Sequence, residues 1–500
     1  MTEYQSSNRS IVKVTSLFGG VQIFLMLTSI IRGKFVALFI GATGMGINGM
    51  FVSAITMITQ VAGLGLNFSA VRDISLAKES GDVERIDSTI TVVRKWLVVC
   101  SLSGALILIL VSNLLSKLSF GNSLYTLSFV LLSLVVSLSI LTNGNVAILQ
   151  GLRRMQEMAK ASLWGAIVGL ITSIPLYWYL GIKGIVPALI IAAITAYGFS
   201  YFYTRNIIIK RKINFREVYL QGGSMAKLGI VMMLANVIGS IVTYVINTYI
   251  SNFGSLSDLG LYQAGLSITN QYSGVVFTAM AVDYFPRLSA VNTNTIQLNR
   301  IVNQQAEIVT TIITPILMFV MLAAPIIIHL LLSVEFIVLK HFIFIMAFSL
   351  IFKAASFNIG YISFAKGDKF LFFWFEGVFG SLLILISAIL GYYFYGLNGI
   401  AIANLLSNVL YLIVIYLITN RRYGFKLQNG FLITYSKLVL FTGALFVTVL
   451  VFDNIYGYIF GISLTLWEFF FSFKHLDRIL GLKSYFRDKF NKISQEANEE

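Results

Sequence analysis

The sequence predicts an all-α integral membrane protein of about fourteen transmembrane helices, and three observations support this fold class. The 500 residues are 57% hydrophobic and only 11% charged, and their mean hydropathy is +0.84. Apolar segments of membrane-spanning length follow one another closely, and Lys and Arg are concentrated in alternate connections. Because soluble domains are about 25% charged, a chain of this composition needs the bilayer as its solvent. An ordinary soluble enzyme and a secreted disulfide scaffold are thereby excluded.

A spanning helix needs about 20 mostly apolar residues, and fourteen stretches meet this requirement. They are 11–40, 44–70, 96–116, 127–149, 161–181, 184–203, 228–250, 259–284, 306–331, 340–363, 370–394, 398–419, 431–452 and 456–473. The first stretch shows no cleavage site for a signal peptide, so we expect it to be retained. Its unusual length, and the shortness of the last stretch with Glu468 inside it, leave twelve or thirteen spans as alternatives.

The basic residues predict the orientation of the chain. With the N-terminus in the cytoplasm, most of the 36 Lys and Arg residues fall in cytoplasmic segments, and only Lys117, Lys183 and Lys340 lie in connections on the other side. This asymmetry follows the positive-inside rule. It accounts for most of the net charge of +15 without nucleic acid as a partner. Both termini are therefore predicted to be cytoplasmic.

No catalytic or metal site is predicted. Cys100 is the single cysteine and lies in an apolar run, and the three histidines lack metal-ligand spacing. A nucleotide-binding loop of the type GxxxxGK[ST] is absent from the sequence, and no connection is long enough to form an extracytoplasmic catalytic domain. We therefore expect a protein that is not an enzyme and has no bound cofactor.

An internal repeat predicts the domain organisation. The segment YWYLGIKGI at 177–185 matches YYFYGLNGI at 392–400, and GINGMFVS at 46–53 matches GLYQAGLS at 260–267, at offsets of 215 and 214 residues. Two six-helix bundles with the same orientation would be related by an axis along the membrane normal, as in transporters that rock two halves around a central site. The predicted parts are a first bundle at 1–204, a basic cytoplasmic linker at 205–227, a second bundle at 228–420, an extra helix pair at 431–473 and a cytoplasmic tail at 474–500.

The tail has apolar residues at helical spacing between Lys474 and Ile493, with basic residues among them. This pattern predicts a basic amphipathic helix on the anionic cytoplasmic leaflet. The alternative is a solvated, partly disordered tail.

Polar residues recur on one face of several predicted spans. The spacings 4, 3, 4 place each set on one side of a helix: Gly49, Ser53, Thr56 and Gln60; Gln263, Ser267, Asn270 and Gly274; Asn236, Ser240, Thr243 and Asn247. Small and hydroxyl residues also mediate helix packing in membranes. The amides are less well explained by packing, so we favour a water-filled cavity. The candidate substrate-binding amides are Gln60, Asn236, Asn247, Gln263 and Asn270.

Three cations lie inside predicted spans, where a charge is costly and usually has a function or a partner. Arg32, Lys34 and Lys353 are candidates for binding an anionic substrate group, since Arg and Lys are natural phosphate partners. The alternatives are snorkelling of Arg32 and Lys34 to the outer interface and a buried ion pair between Lys353 and Glu376.

Coupling to a proton or another ion would require a titratable carboxylate. Glu376 is the first candidate, followed by Asp283 and Glu307 near the predicted cytoplasmic ends of their spans. The alternative for Asp283 and Glu307 is a position at the membrane interface without a coupling role.

The order and spacing of several motifs resemble those of polysaccharide flippases of the MOP exporter superfamily. The similarity covers residues 10 to about 420 and is greatest to the O-antigen and enterobacterial common antigen (Wzx-type) branch. Its motifs are GKFVALFIGATGMGI at 33–47, QGLRR at 150–154, FPRLS at 285–289, LLSVEF at 331–336 and FKAASFNIGYISFAK at 352–366. Glu376 stands where that branch also has an acidic residue.

The resemblance implies a two-lobed bundle in the bacterial inner membrane that moves undecaprenyl-diphosphate-linked sugars between leaflets. It implies a cationic cavity for the diphosphate and glycan, membrane lipids as surroundings, and polysaccharide polymerase and glycosyltransferases as protein partners. Coupling to H⁺, Na⁺ or the membrane potential would drive transport. Family members commonly have twelve helices, so the extra pair here has no implied role. Three alternatives stay open: a multidrug antiporter of the same superfamily, a peptidoglycan-precursor flippase, and a non-transporting scaffold of a glycan-assembly complex.

Overall fold

A computed structural model describes residues 3–207, 215–452 and 454–481, and these residues form helices and no strand. The predicted all-α membrane fold is confirmed. The helices are α1 (Glu3–Gly63), α2 (Leu66–Glu79), α3 (Val83–Phe120), α4 (Thr126–Gly151), α5 (Met155–Leu180), α6 (Ile185–Thr204), α7 (Phe215–Phe253), α8 (Leu256–Ala290), α9 (Thr295–Leu331), α10 (Lys340–Ala365), α11 (Lys369–Phe372), α12 (Gly380–Tyr423), α13 (Asn429–Val451) and α14 (Ile455–Leu480). A π-helical segment, Phe373–Phe379, joins α11 to α12.

Within the described residues, nine stretches are long and apolar enough to cross a membrane. Met155–Thr204 and Phe370–Tyr423 each contain two of the predicted spans, and Gly20–Gly63 covers most of the first two. The total of fourteen spans stays a prediction.

The helices are longer than the predicted spans because polar turns continue them past the apolar stretches. The predicted hydrophilic connection 72–95 is mostly helical, with Asp82 accepting hydrogen bonds from the Glu84 and Arg85 amides to cap α3. Residues 215–227 of the predicted linker are the start of α7. The first residues of the predicted tail continue α14 to Leu480, and residues 482–500 lie outside the described part of the chain.

Glycines in the left-handed region separate the paired spans. Gly41 has φ 63° within α1, and Gly181 and Gly396 have φ 54° and 59°. Only glycine adopts these angles without strain. Gly181 and Gly396 are equivalent in the internal repeat, and their ψ angles, −132° and −140°, also agree. The repeat is therefore visible in the backbone at this turn.

A carboxylate caps the helix that restarts after Gly41. Glu335 Oε1 accepts a hydrogen bond of 2.9 Å from the Ala42 amide. The amides at a helix start have no partner within the helix, so such a cap stabilises the turn.

We expect Glu335→Ala to lower the free energy of unfolding by about 1 kcal/mol, because the Ala42 amide loses its cap. The measurement is the thermal midpoint in detergent. Glu79→Ala is the matched control, since Glu79 pairs with Arg153 on an exposed surface where ion pairs contribute little. Equal midpoints for the two variants would contradict the capping role.

Contacts divide the chain into two compact units, which we describe separately. Unit 1 comprises Met1–Ala264, His329–Ile337 and Phe373–Ile389, and unit 2 comprises Gly265–Ile328, Val338–Phe372 and Leu390–Glu500. In unit 1, α1 packs against α3, α4, α5 and α7, and α7 also contacts the π-helical segment. The predicted bundles 1–204 and 228–420 stay a prediction.

Half-buried polar contacts join helices of unit 2. Asn408 donates to Ser349 Oγ at 2.6 Å and to Asn404 Oδ1 at 3.0 Å, which joins α10 to α12. Near the predicted cytoplasmic side, Asp368 accepts a hydrogen bond from the Tyr423 hydroxyl and forms a salt bridge with Arg422. Burial raises the pKa of Asp368, but these bonds and one from a backbone amide outweigh it and lower its pKa overall.

Candidate functional site

A polar cavity of about 180 Å³ lies in unit 1. Five helices, α1, α2, α3, α4 and α7, line it. Its lining residues are Thr59, Gln60, Gly63, Gly65, Asn67, Phe68, Leu97, Ile140, Asn143, Gly144, Met233 and Asn236. None of these twelve residues carries a charge. The cavity therefore offers neutral donors and acceptors on an apolar frame, as ligand sites commonly do.

The turn between α1 and α2 shapes this cavity. Leu64 and Gly65 have φ angles of 48° and 60°, which end α1 and redirect the chain into α2. A Cβ on Gly65 would lie 2.2 Å from the Gly229 carbonyl oxygen, so α7 crosses the turn at backbone contact. Asn236, seven residues or about two turns after Gly229, consequently reaches the same cavity as Gln60.

Two polar atoms at the cavity are buried and unsatisfied. Thr59 Oγ1 and Gln60 Oε1 are shielded from solvent and have no hydrogen-bond partner among the described residues. Buried polar groups are nearly always paired, and an orphan calls for water or a ligand. A ligand that both donates and accepts hydrogen bonds, such as a sugar hydroxyl, would satisfy them.

Of the predicted substrate-binding amides, Gln60 and Asn236 line the cavity. Asn247 is fully buried and accepts a hydrogen bond of 2.9 Å from Gln263, so these two join α7 to α8. Asn270 is exposed on the unit 2 part of α8. The structure thus places some of the predicted polar residues at the cavity and others in contacts between helices.

The predicted cations lie on two different units. Arg32 and Lys34 are half-buried on α1, and the helix continues through them, in agreement with the predicted span 11–40. Arg32 interacts electrostatically with Tyr177 near the end of α5, and its Nε is buried without a hydrogen-bond partner among the described residues. Lys353 is exposed on α10 in unit 2.

The coupling candidates also occupy different surroundings. Glu376 is exposed in the π-helical segment of unit 1. Glu307 lies on α9 in unit 2 and is hydrogen-bonded to Thr434 and His475. The side chain of Asp283 lies outside the described residues.

Thr59, Asn67 and Asn143 line the cavity but were not predicted from the sequence. The available signal for Asn143 was a pair of amides, Asn143 and Asn145, inside the apolar span 127–149. Residues two positions apart lie on different faces of a helix, so the pair does not identify which face is polar.

Comparison with known proteins places the chain in a family. The model for a family described as polysaccharide biosynthesis protein matches residues 35–340, more than half of the chain. The chain belongs to this family. No match was found among curated proteins.

The fold resembles those of solved membrane transporters. The chain is similar to the lipid II flippase MurJ in an inward closed conformation, with 14% identity, a TM-score of 0.68 and coverage of 94% of this chain and 99% of that chain. It is also similar to an inward-facing multidrug resistance MATE transporter of the MOP superfamily, with 17% identity, a TM-score of 0.65 and coverage of 81% and 98%. A third match is a mutant of the Vibrio cholerae MATE transporter VcmN, with 17% identity, a TM-score of 0.57 and coverage of 85% and 100%.

These findings show a member of the polysaccharide biosynthesis protein family whose fold is that of solved multi-pass membrane transporters.

Proposed function

We propose that this family member moves an undecaprenyl-diphosphate-linked oligosaccharide, an O-antigen unit or another surface polysaccharide unit, across the bacterial inner membrane by alternating access. The observation that supports the proposal is the uncharged, amide-lined cavity of unit 1, with unsatisfied polar atoms at Thr59 and Gln60. Sugars are recognised mainly through hydroxyl hydrogen bonds, and such a cavity supplies them.

The cations of α1 supply the positive charge that the cavity lacks. Arg32 and Lys34 precede the break at Gly41, and Gln60 follows it by nineteen residues, about 28 Å of helix. A guanidinium and an ammonium are suited to a diphosphate, where charge-assisted bonds are strongest. Unit 1 would then bind the two chemical parts of one glycolipid at different places, with the prenyl chain left in the lipid.

A multidrug antiporter for cations is a weaker interpretation of the same site. Cationic cargo needs an acidic cavity, since local charge sets which ions a cleft attracts. No carboxylate is among the twelve residues that line the cavity.

A peptidoglycan precursor is the second candidate cargo. The likeness to MurJ covers 94% of the chain, against 81% for the inward-facing MATE transporter. Lipid II shares the undecaprenyl diphosphate group, so the two cargoes differ only in the groups that the amide cavity would contact.

The experiment is translocation of labelled glycolipids by the full chain in proteoliposomes. We expect wild type to flip an undecaprenyl-diphosphate oligosaccharide faster than lipid II. In an Arg32→Ala/Lys34→Ala/Lys353→Ala variant that still folds, the flipping rate should fall at least about tenfold, which is the effect of one lost charge-assisted hydrogen bond. Faster flipping of lipid II would favour the second cargo.

The remaining outcomes overturn parts of the proposal. Equal rates for wild type and the triple variant would make the three cations structural. Failure to flip any glycolipid, with normal co-purification of polysaccharide polymerase or glycosyltransferases, would favour the scaffold.

A further inference from the structure

A buried carboxyl group on α14 has no role in the site described above. Glu468 is completely buried, and its Oε1 accepts a hydrogen bond of 2.5 Å from Ser472. Its Oε2 is buried without a partner among the described residues. An ionisable group inside a spanning segment is costly unless it is functional or paired, and Ser472 is a neutral partner. A functional role would account for the cost of burying the Glu468 carboxyl group.

A second carboxyl group lies in contact with the same helix. Glu307 Oε1 on α9 is 2.8 Å from His475 Nε2 on α14. The same oxygen accepts a hydrogen bond of 2.9 Å from Thr434 Oγ1 on α13. The side chains of Glu307 and His475 are each only 17% exposed. Three helices of unit 2 thus meet at a carboxyl–imidazole pair.

The two groups lie on one face of α14. Glu468, Ser472 and His475 are separated by four and three residues, which is the spacing of a single helix face. From Glu468 to His475 the helix rises about 10 Å. In the predicted topology the Glu307–His475 pair is near the cytoplasmic end of α14, and Glu468 lies deeper, inside the predicted span 456–473. The face therefore leads from the cytoplasmic side to a buried carboxyl group.

Other charged groups lie on α13, on α14, on α9 and in the segment before α13. On α13, Lys437 Nζ lies 5.8 Å from the centre of the Phe471 ring, and that ring stacks on His475 at 5.9 Å. Lys474 precedes His475 on α14, and Asp477 and Arg478 follow it; α9 carries Arg300, and Lys426 precedes α13. Glu307 is the carboxyl group in hydrogen-bond contact with His475 and is therefore the counter-charge for a proton on that imidazole.

We propose that Glu307, His475 and Glu468 form a proton-binding site that couples glycolipid flipping to H⁺, which gives the helix pair α13–α14 a function. The inference rests on the proposed flippase function. One proton is shared within the Glu307–His475 pair. A second proton, taken up from the opposite side of the membrane, neutralises the Glu468 carboxylate and is released through His475 and Glu307 toward the cytoplasm, so that only O–H and N–H bonds are formed and broken.

Protonation of Glu468 would favour one packing of α14 over another. A neutral carboxyl tolerates the buried position, whereas a carboxylate requires water or a cation. The proton thus has a different binding free energy in the two arrangements, which is what a coupled conformational change requires.

The proton site is testable without any glycolipid. Infrared difference spectra of the full chain in detergent, recorded between alkaline and acidic pH, should show the carbonyl stretch of a protonated buried carboxyl group. Glu468→Gln should remove this band, and Glu79→Gln, which removes an exposed carboxylate, should leave it. A band that persists unchanged in Glu468→Gln overturns the proton site, even if the protein transports normally.

The coupling role is tested in proteoliposomes with and without a pH difference of one unit. One coupled proton can change the flipping rate of wild type by up to about tenfold per pH unit. In Glu468→Gln we expect the ratio of rates with and without the gradient to fall to about one, with gradient-independent flipping retained. The Glu79→Gln control should keep the wild-type ratio.

The outcomes separate the two proposals. A wild-type ratio in Glu468→Gln overturns coupling through Glu468. Absence of flipping by wild type overturns the flippase function and the coupling with it, whereas the infrared band still decides whether the proton site exists. Should Glu468→Gln fail to fold, His475→Gln is the second variant, and it should give the same loss of gradient response.

Discussion

Alanine at Gly260 is expected to destabilise the protein by about 3 kcal/mol or more, and to prevent folding if the helices cannot separate. A Cβ at this position would lie 1.8 Å from the Ala42 carbonyl oxygen. At the facing position, a Cβ on Gly46 would lie 2.0 Å from the Leu256 carbonyl oxygen. Both obstacles are backbone atoms, so no rotamer change relieves them, and overpacking of this kind is at the upper end of the usual range of about 1–3 kcal/mol.

The measurement is the thermal midpoint of Gly46→Ala and Gly260→Ala in detergent. Gly239→Ala on α7 is the matched control, since a Cβ there meets nothing within 4 Å. Its midpoint should stay the same or rise slightly, because alanine has the higher helix propensity. Midpoints of all three variants within one or two degrees of wild type would show that α1 and α8 do not cross at backbone contact.

This crossing was partly predictable from the sequence. Gly46 and Gly260 were aligned by the internal repeat, at an offset of 214 residues. The repeat showed that they are equivalent, but not that they contact each other. Equivalent residues meet only when the symmetry axis passes between them, and the position of that axis depends on the packing of all the helices.

The fold was predictable because its physical cause is local. A run of about 20 apolar residues is a spanning helix wherever it occurs, and breaks at Gly41, Gly181 and Gly396 follow from glycine at the turns. The ends of helices were less predictable. Polar turns such as those at the start of α3 remain helical outside the bilayer when a residue like Asp82 caps them.

The candidate sites were only half predictable, for a geometric reason. Periodicity identified the face of Gln60 on its helix, but not which other helices that face meets. Asn143 reaches the cavity because α4 packs beside the end of α1. Glu307 and His475 come together because α9 and α14 are neighbours in unit 2, although 168 residues separate them, and Glu468 follows on the same face of α14. Contacts of this kind depend on tertiary packing and leave no period in the sequence.

Replacing two cavity amides by leucine is expected to make the protein more stable and less active. Gln60→Leu removes a buried oxygen that has no partner among the described residues, and Asn143→Leu removes a second polar group from the cavity wall. Removal of an unsatisfied buried polar group can stabilise a fold by about 1 kcal/mol. If these amides bind sugar, the double variant loses two hydrogen bonds to the cargo, about 2 kcal/mol, or roughly 30-fold in flipping rate.

The two effects have opposite signs, which distinguishes a binding cavity from helix packing. Amides that hold helices together would lower the thermal midpoint when replaced, as Asn408→Leu should, since Asn408 donates hydrogen bonds to Ser349 and Asn404. The measurements are the thermal midpoint and the rate of glycolipid flipping for Gln60→Leu/Asn143→Leu, with Asn408→Leu as the packing control. A lower midpoint together with an unchanged flipping rate in the double variant would assign the polar face at Gln60 to packing, and the sugar would then have to bind elsewhere on the chain.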